Sequence, residues 1–167
     1  MTKISAGILL YSIHDGKLKV FLVHPGGPYF AGKDLWGIPK GEIDSENGED
    51  GGDLLAVALR EFGEETGIKL NKNGRFIELG NVKRTSGKVV YAWAFLGNGK
   101  EKFLRSNHFE MEWPPNSGEV KKFPEIDNGR YFEIGVARRK IHKYQLDFLD
   151  RLDKAVKIRK EGQRKLF

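Results

Sequence analysis

Hydrophobic and polar residues alternate with a period of two in several parts of the chain, which is the spacing of half-buried β-strands. The runs are rich in β-branched and aromatic residues, as strands are. Between the first two runs, Asp15-Gly16 is typical of a tight hairpin turn. Four strands are predicted on this basis: 3–13, 17–24, 75–84 and 88–97.

Weaker patterns predict four further segments. Residues 35–42 are expected to begin as a short strand and to end in a turn, and 103–113 is expected to be another strand. The Pro- and Gly-containing stretch 114–128 is predicted to be a loop. Residues 131–141 look like the end of a strand that runs into a helix.

A helical period appears directly after residue 52. Asp53 can cap the start of this helix, and Gly67 is placed to end it with Ile68 as the hydrophobic contact beyond the stop. The predicted buried face contains Leu54, Leu55, Val57, Ala58 and Phe62. A helix bearing this stripe is expected to pack on the sheet.

A second helical pattern covers about 143–161 and forms the basic C-terminal helix. Its apolar positions are in register at Leu146, Leu149, Leu152 and Val156. No internal repeat or linker divides the sequence. Strands that are partly hairpins, mixed with two or three helices, predict one α/β or α+β layer structure in a single domain over residues 1–167.

Composition narrows the class of protein. A chain of 167 residues is long enough for one core but not comfortably for two. It contains no cysteine, which excludes disulfides, thiolate metal sites and cysteine nucleophiles and fits a cytoplasmic location. No run of 18 apolar residues occurs, so no membrane span is expected.

The net charge of +6 favours anionic partners such as nucleotides or RNA. Most of the positive excess lies in the stretch Arg138–Lys165. This stretch can steer polyphosphates or RNA ends, and a solvated face on the last helix explains it equally well.

Three carboxylates crowd the first helix at Glu61, Glu64 and Glu65. With about 100° of rotation per residue, Glu61 lies about 40° from Glu65 and about 60° from Glu64, so all three can converge. Converging carboxylates raise one another's proton affinity unless a cation neutralises them, and Mg²⁺ suits oxygen ligands. Arg60 can clamp Glu64 or reach a phosphate. The plainer alternative is a solvated acidic surface.

The residues of "PKGE" and "REFGEETGI" together resemble the signature of the Nudix hydrolase family. In that family a glycine is followed by five residues, a glutamate, seven residues, and Arg-Glu-U-x-Glu-Glu-x-Gly-U, with U a bulky aliphatic. Phe62 stands where an aliphatic residue is usual. The matching positions here are Gly41, Arg60, Glu61, Glu64, Glu65, Gly67 and Ile68.

The first half of the signature departs from the family pattern. The pattern places the arginine fourteen positions after the glycine, whereas Arg60 follows Gly41 by nineteen, so five residues are extra. The extra residues fall in 43–52. Glu49 is the best candidate for the displaced glutamate, and Glu46 is the second.

The resemblance implies an α/β fold, a Nudix-like α/β/α sandwich with a mixed β-sheet. It also implies an enzyme that hydrolyses a diphosphate linked to another group, X. It implies that Glu61, Glu64 and Glu65, with the carbonyl of Gly41, bind Mg²⁺ or Mn²⁺, and it makes Glu61 a candidate base. Some members of the family take a further acid from a later loop as the base. The candidates for that acid are Glu110, Glu112, Glu125 and Asp127.

The substrate contacts are predicted from residue type. Lys40, Arg84 and Lys88 can meet phosphate, and solvated surface is the alternative for each. Trp36 and Tyr91 are predicted to contact substrate, and Tyr29, Phe30 and Trp93 are further stacking candidates. Tyr91 and Trp93 share one strand face, so at least one of them is expected in the core. No role is predicted for His24, His108 and His142.

Three functions are compatible with the sequence. The first is a metal-dependent pyrophosphohydrolase that acts on dinucleoside polyphosphates, then nucleoside triphosphates, then the 5′-triphosphate end of RNA. The second is a non-catalytic Nudix-like domain that senses a nucleotide or binds a partner. The third is an RNA-binding protein without chemistry. A monomer or a homodimer is compatible with each of them.

Overall fold

The computed structural model describes residues 2–43 and 52–165 of the chain. Its strands, in chain order, are β1 (Ile4–His14), β2 (Lys17–Pro25), β3 (Lys40–Glu42), β4 (Phe76–Lys83), β5 (Val89–Leu96), β6 (His108–Glu112), β7 (Val120–Pro124) and β8 (Ile126–Glu133). The helices are α1 (Leu54–Thr66), α2 (Ile134–Lys140) and α3 (Leu146–Arg164), and a 3₁₀ turn at Lys143–Gln145 precedes α3.

The main sheet has the order β4-β5-β1-β2-β8 and is mixed. β1 lies at its centre and pairs in parallel with β5 along most of its length. On its other side β1 pairs antiparallel with β3 at residues 5–7 and with β2 at residues 11–14. β6 and β7 form a separate two-stranded hairpin. Because one edge of β1 serves two partners in turn, β3 is held at the start of the central strand.

Two hydrophobic clusters lie on the opposite faces of this sheet, because successive residues of a strand point to opposite sides. One face packs on α1 through residues such as Ile8, Phe21 and Phe62. The other packs on α2 and α3 through residues such as Leu9, Leu22 and Leu149. The predicted α/β/α layering with a mixed sheet is therefore confirmed.

Both predicted ends of α1 are confirmed. The side chain of Asp53 accepts a hydrogen bond from the backbone N–H of Leu55. Gly67 adopts a left-handed conformation (φ 75°), and its N–H donates to the carbonyl of Gly63, as expected for a glycine stop. Val57, Ala58 and Phe62 are buried, and Leu54 and Leu55 are partly buried.

The hairpin predicted at Asp15-Gly16 is also confirmed. Both residues have positive φ, at 51° and 74°, and they join β1 to β2 in register. The strands predicted at 75–84 and 88–97 appear as β4 and β5. The C-terminal helix predicted at about 143–161 begins with the 3₁₀ turn and extends to Arg164.

The strand predicted at 103–113 is confirmed in part, as the shorter β6, and two other predictions of local structure were wrong. The predicted loop 114–128 contains β7 and the start of β8. β7 pairs with β6, and three of its five residues are exposed, so it carries no alternating signal. The order predicted for 35–42, a strand followed by a turn, is reversed. Trp36 and Gly37 form only isolated β-bridges, and the strand, β3, lies at the end of the segment.

None of the helices among the described residues is long and apolar enough to cross a membrane.

Candidate active site

The edge strand β3 brings Gly41 against the carboxyl group of Glu61 on α1. Gly41 is held by its pairing with Ala6 in β1. A Cβ atom at position 41 would lie 1.9 Å from the carboxyl carbon of Glu61 and 2.1 Å from one of its oxygens. Glycine is therefore required here if Glu61 is to keep this position.

Arg60 binds two of the three helix carboxylates. Its guanidinium lies 2.9 Å from Glu61 and 3.0 Å from Glu64. Burial raises the pKa of Glu61, and the negative charge of Glu64 raises it further, whereas Arg60 opposes the rise. The arginine thus holds two like charges together that would otherwise repel each other.

Glu65 is turned toward β3 rather than toward Arg60. Its Oε2 accepts a hydrogen bond of 2.9 Å from the backbone N–H of Lys40. Burial raises the pKa of Glu65 to about 8, and the charges of Glu61 and Glu125 add to this, while Lys40 opposes it. A nearby cation would stabilise the ionised form of a carboxyl group in this environment.

Glu125, between β7 and β8, is a fourth acid at this site. Its backbone is fixed on both sides: its N–H donates to the carbonyl of Asn107, and its carbonyl accepts from Gly26. Burial raises the pKa of Glu125, and the charge of Glu64 contributes to the rise. Glu125 in turn raises the pKa of both Glu61 and Glu65.

The other three candidate bases are placed elsewhere. Glu110 and Glu112 are exposed on β6. Asp127 lies 2.7 Å from Nδ1 of His24, which it binds. Of the four acids that the sequence left open, Glu125 is the one that interacts with the helix carboxylates.

The donor set fits a hard divalent cation. Four carboxylates interact, and the pKa values of Glu61, Glu65 and Glu125 are all raised, which a bound cation would reverse. Oxygen-only donors are those that Mg²⁺ and Mn²⁺ take. Within residues 2–43 and 52–165, no three acidic or histidine side chains are already arranged as a metal site. Arg60 pairs with the carboxylates of Glu61 and Glu64 instead.

A cavity of about 240 Å³ opens beside these carboxylates and is here called the catalytic cavity. Glu65 and Glu125 line its acidic side, with Lys40 beside Glu65. Its other walls come from the loop after β2, the end of β4 and the turn before α3, and they include Phe30, Arg84, His142, Tyr144 and Gln145. The predicted phosphate contacts Lys40 and Arg84 thus share one cavity.

Arg84 and Tyr144 form the far wall of the catalytic cavity. The guanidinium carbon of Arg84 lies 4.7 Å from the centre of the Tyr144 ring, within cation–π range. His142 lies beside the same tyrosine. Burial lowers the pKa of His142, and the charges of Lys40 and Arg84 lower it further. This wall combines a flat aromatic surface with positive charge.

Gln145 fixes the position of that wall. It is 1% exposed, and its Oε1 accepts from the N–H of Ile38 at 2.9 Å. Its Nε2 donates to the hydroxyl of Tyr144 at 2.8 Å. One buried amide therefore connects the segment before β3 to the aromatic wall. The sequence carries no signal for Gln145 or Tyr144, since neither belongs to the apolar stripe of the predicted C-terminal helix.

Two predicted substrate contacts do not line the catalytic cavity. Trp36 is buried in the core on the α2 and α3 side, and its Nε1 donates to Asp34. Tyr91 lies in the same row of the sheet as Ala6 and Gly41 and is half-buried on the α1 side. Glu49 and Glu46, the candidates for the displaced glutamate, lie outside the described residues.

Together, the three-layer fold and a carboxylate-bearing helix packed against a glycine on a short strand define an α/β protein with an acidic site beside a cavity of mixed charge. The sequence matches the family model described as the NUDIX domain over residues 1–152. The chain belongs to the Nudix family. No curated protein matches it by sequence.

Solved structures of Nudix proteins share the fold. The NUDIX domain of Shewanella oneidensis NrtR, complexed with ADP ribose, is 17% identical with a TM-score of 0.62, covering 93% of this chain and 89% of that one. A C. elegans Ap4A hydrolase in a binary complex is 20% identical, with a TM-score of 0.61 and coverage of 91% and 97%. A mutT/nudix family protein from Listeria innocua is 17% identical, with a TM-score of 0.59 and coverage of 94% and 95%. At these identities the likeness concerns the fold alone.

Proposed function

We propose that this protein is a metal-dependent pyrophosphohydrolase that cleaves a diphosphate linkage in a nucleoside diphosphate joined to a group X. A dinucleoside polyphosphate is the first candidate substrate, a nucleoside triphosphate the second and the 5′-triphosphate end of RNA the third. The observation that carries the proposal is a set of four interacting carboxylates, two of which, Glu65 and Glu125, line a cavity with cationic and aromatic walls.

The metal would be held by Glu61, Glu64 and Glu65, with the carbonyl of Gly41 beside them. When bound, a divalent ion supplies charge neutralisation for the diphosphate and lowers the pKa of water. Membership of the Nudix family and the oxygen-only donor set support Mg²⁺ or Mn²⁺.

Glu125 would accept the proton of the attacking water. Its pKa is raised toward the working range of a general base. It has no ion pair with any residue that the structure describes, whereas Glu61, the other candidate, lies 2.9 Å from Arg60. Its backbone is fixed by Asn107 and Gly26, which holds it at the carboxylate cluster.

The remaining walls would bind the nucleotide. Lys40 and Arg84 offer positive charge to phosphate oxygens, Arg84 as a fork and Lys40 as a point charge. Tyr144 and Phe30 offer aromatic surface to a base. Each of these groups lies in the same cavity as Glu65, so a bound nucleotide would present its phosphates to the acids.

The test is hydrolysis in the presence of Mg²⁺. Diadenosine tetraphosphate, the nucleoside triphosphates, ADP-ribose and a triphosphorylated RNA would be offered to wild type, Glu64→Gln and Glu110→Gln. We expect the fastest turnover for one class, a loss of about 10²-fold or more in Glu64→Gln, and no change in Glu110→Gln, whose side chain is exposed on β6. Equal rates in wild type and Glu64→Gln would contradict the proposal.

A second candidate is a nucleotide sensor without catalysis. The NrtR domain, which was solved with ADP ribose, and the pairing of Glu61 and Glu64 with Arg60 favour it. This candidate predicts that nucleotide binds and that nothing is hydrolysed. Binding without turnover across the whole panel would select it.

A further inference from the structure

A second cavity, of about 550 Å³, lies along one face of α1 and is here called the outer cavity. The residues of α1 and of its glycine stop that line it are spaced by three and four positions, as one stripe of a helix is: Ala56, Leu59, Arg60, Gly63, Glu64 and Gly67. The opposite wall comes from the segments after α1 and before β6. The proposed chemistry gives this cavity no role.

Positive charge dominates the polar part of the outer cavity. Lys69, Lys72 and Arg105 line it together with Arg60. Among the described residues, Lys69, Lys72 and Arg105 have no carboxylate partner, while Glu64, the acid in the lining, is paired with Arg60. Three cations around one cavity without internal partners attract an anion.

The outer cavity and the catalytic cavity meet at the carboxylates. Glu64 lines the former and Glu65 the latter, because successive helix residues point about 100° apart. Asn107 continues this wall: it lines the outer cavity, its N–H donates to the carbonyl of Glu64, and its carbonyl accepts from Glu125. A linear ligand centred on the acids has a cavity on each side.

Arg105 is held firmly in this position. Its backbone N–H and that of Leu104 donate to the carbonyl of Thr66, at 3.3 and 2.9 Å. A Cβ at Gly67 would lie 3.1 Å from Cγ of Arg105, so the stem of the arginine packs on the glycine stop of α1. The backbone and the stem of Arg105 are thus held at the C-terminal end of α1.

The two cavities also differ in volume. Sites for small ligands usually enclose about 300–1,000 Å³. The catalytic cavity, at about 240 Å³, falls below that range, whereas the outer cavity is more than twice as large. The catalytic cavity therefore suits one nucleoside end of a substrate rather than a complete dinucleotide.

We propose that the outer cavity binds the phosphate groups beyond the cleaved linkage, so that the protein selects an extended polyphosphate chain over a short diphosphate such as ADP-ribose. The proposal rests on the proposed function and assigns Lys72 and Arg105 to the distal phosphates. The nucleoside end occupies the catalytic cavity, and the chain crosses the acids between Glu65 and Glu64.

A purely structural role for these cations makes a different prediction. Positive side chains near a helix C-terminus interact favourably with the helix dipole. If Lys72 and Arg105 served that purpose alone, their removal would lower the melting temperature and leave the choice between substrates unchanged. Substrate choice is therefore the decisive measurement.

The experiment compares wild type with Lys72→Ala/Arg105→Ala, using diadenosine tetraphosphate and ADP-ribose. We expect KM for the tetraphosphate to rise about tenfold with kcat retained, because exposed charge pairs each contribute about 0.2–1 kcal/mol. Both constants for ADP-ribose should stay the same. The matched control is Lys100→Ala/Lys102→Ala, which removes two exposed lysines that line neither cavity. An unchanged KM for the tetraphosphate, or equal changes for both substrates, would overturn the proposal.

A binding measurement separates this proposal from the proposed function. Inorganic tripolyphosphate would be titrated calorimetrically in EDTA, where no metal can bridge phosphate to the acids. If wild type hydrolyses nothing, the proposed function fails, yet about tenfold weaker tripolyphosphate binding in Lys72→Ala/Arg105→Ala alone would still support an anion site in the outer cavity. Equal binding by both variants and wild type, or no binding, would reject it.

Discussion

Gly41 lies so close to Glu61 that a methyl group on the glycine would overlap the carboxyl group of the acid. The two residues belong to different elements, β3 and α1, and each is fixed independently. β3 is fixed by its ladder to β1, and α1 is fixed by its buried face and its caps. The position of one carboxylate therefore depends on the absence of a side chain on a strand.

Gly41→Ala should reduce catalysis with little effect on stability. The clash is with the end of a flexible side chain, so Glu61 can turn away while the fold survives. Misplacement of a reacting group by about 1 Å can cost about 10²-fold, and we expect a fall of that size in kcat/KM.

Gly135→Ala is the matched control for this substitution. Gly135 lies within α2, and a Cβ there would meet no atom within 4 Å. This variant should keep full activity and gain about 0.5–1 kcal/mol in the free energy of unfolding. Full activity in Gly41→Ala would show that the contact with Glu61 has no catalytic importance.

Mg²⁺ should stabilise the wild-type protein against heat. Binding to the folded state at a hundredfold excess over Kd adds about 2.7 kcal/mol to the free energy of unfolding. Glu64→Gln should lose most of this response, because the amide is a poorer ligand than the carboxylate. The measurement is a thermal melt with Mg²⁺ and with EDTA. A full response in Glu64→Gln would show that Glu64 is not a metal ligand.

Glu125→Gln should lower kcat by about 10²- to 10⁴-fold, which is the usual contribution of a general base. Its thermal response to Mg²⁺ should persist if Glu125 takes protons rather than holding the metal. Glu112→Gln serves as the control, since Glu112 is exposed on the neighbouring hairpin. Loss of both activity and the Mg²⁺ response in Glu125→Gln would instead make Glu125 a metal ligand.

His142 should make the protein less stable in mild acid. Burial, with Lys40 and Arg84 nearby, lowers its pKa below the ordinary value of 6.5. The unfolded chain therefore takes up the proton first, and stability present above pH 6.5 is lost as the pH falls through the lowered pKa.

The check for His142 is the melting temperature of wild type and His142→Phe between about pH 7.5 and pH 5. Phenylalanine keeps a ring beside Tyr144 but has no group that titrates. The difference between the two melting temperatures should change with pH, with wild type losing more on acidification. Parallel curves would refute this role of His142.

Gln145→Leu should destabilise the protein by about 1–3 kcal/mol, because it leaves the N–H of Ile38 buried without a partner. It should also raise KM, since the hydroxyl of Tyr144 loses its bond to the amide. Chemical denaturation and steady-state kinetics measure the two effects. Gln163→Leu, at an exposed position of α3, is the control and should change neither value.

The parts of the fold that depend on local signals could be predicted from the sequence. The Asp15-Gly16 hairpin and the two ends of α1 each rest on backbone requirements of a few adjacent residues. β7 could not be found, because its pairing with β6 leaves most of its side chains in solvent. β7 is a strand because it pairs with β6, and its own pattern of hydrophobic and polar residues does not indicate one.

The candidate site likewise has one part that the sequence predicts and another that it does not. The spacing of Glu61, Glu64 and Glu65 on one helix is a local property, and the sequence contains it in full. The far wall of the catalytic cavity is formed by residues about eighty positions later in the chain, including Tyr144 and Gln145. Their approach depends on how α3 packs on the sheet. For the same reason, the sequence could name Glu125 only as one of four acids.

The independent anchoring of β3 and α1 bears on the five extra residues between Gly41 and Arg60. The ladder to β1 ends the strand at Glu42, and the cap at Asp53 begins the helix. Closing a loop between two fixed ends costs only about 0.6 kcal/mol more each time its length doubles. The signature can therefore lengthen in evolution without altering the contact between Gly41 and Glu61, and a search that demands fixed spacing between them would overlook such relatives.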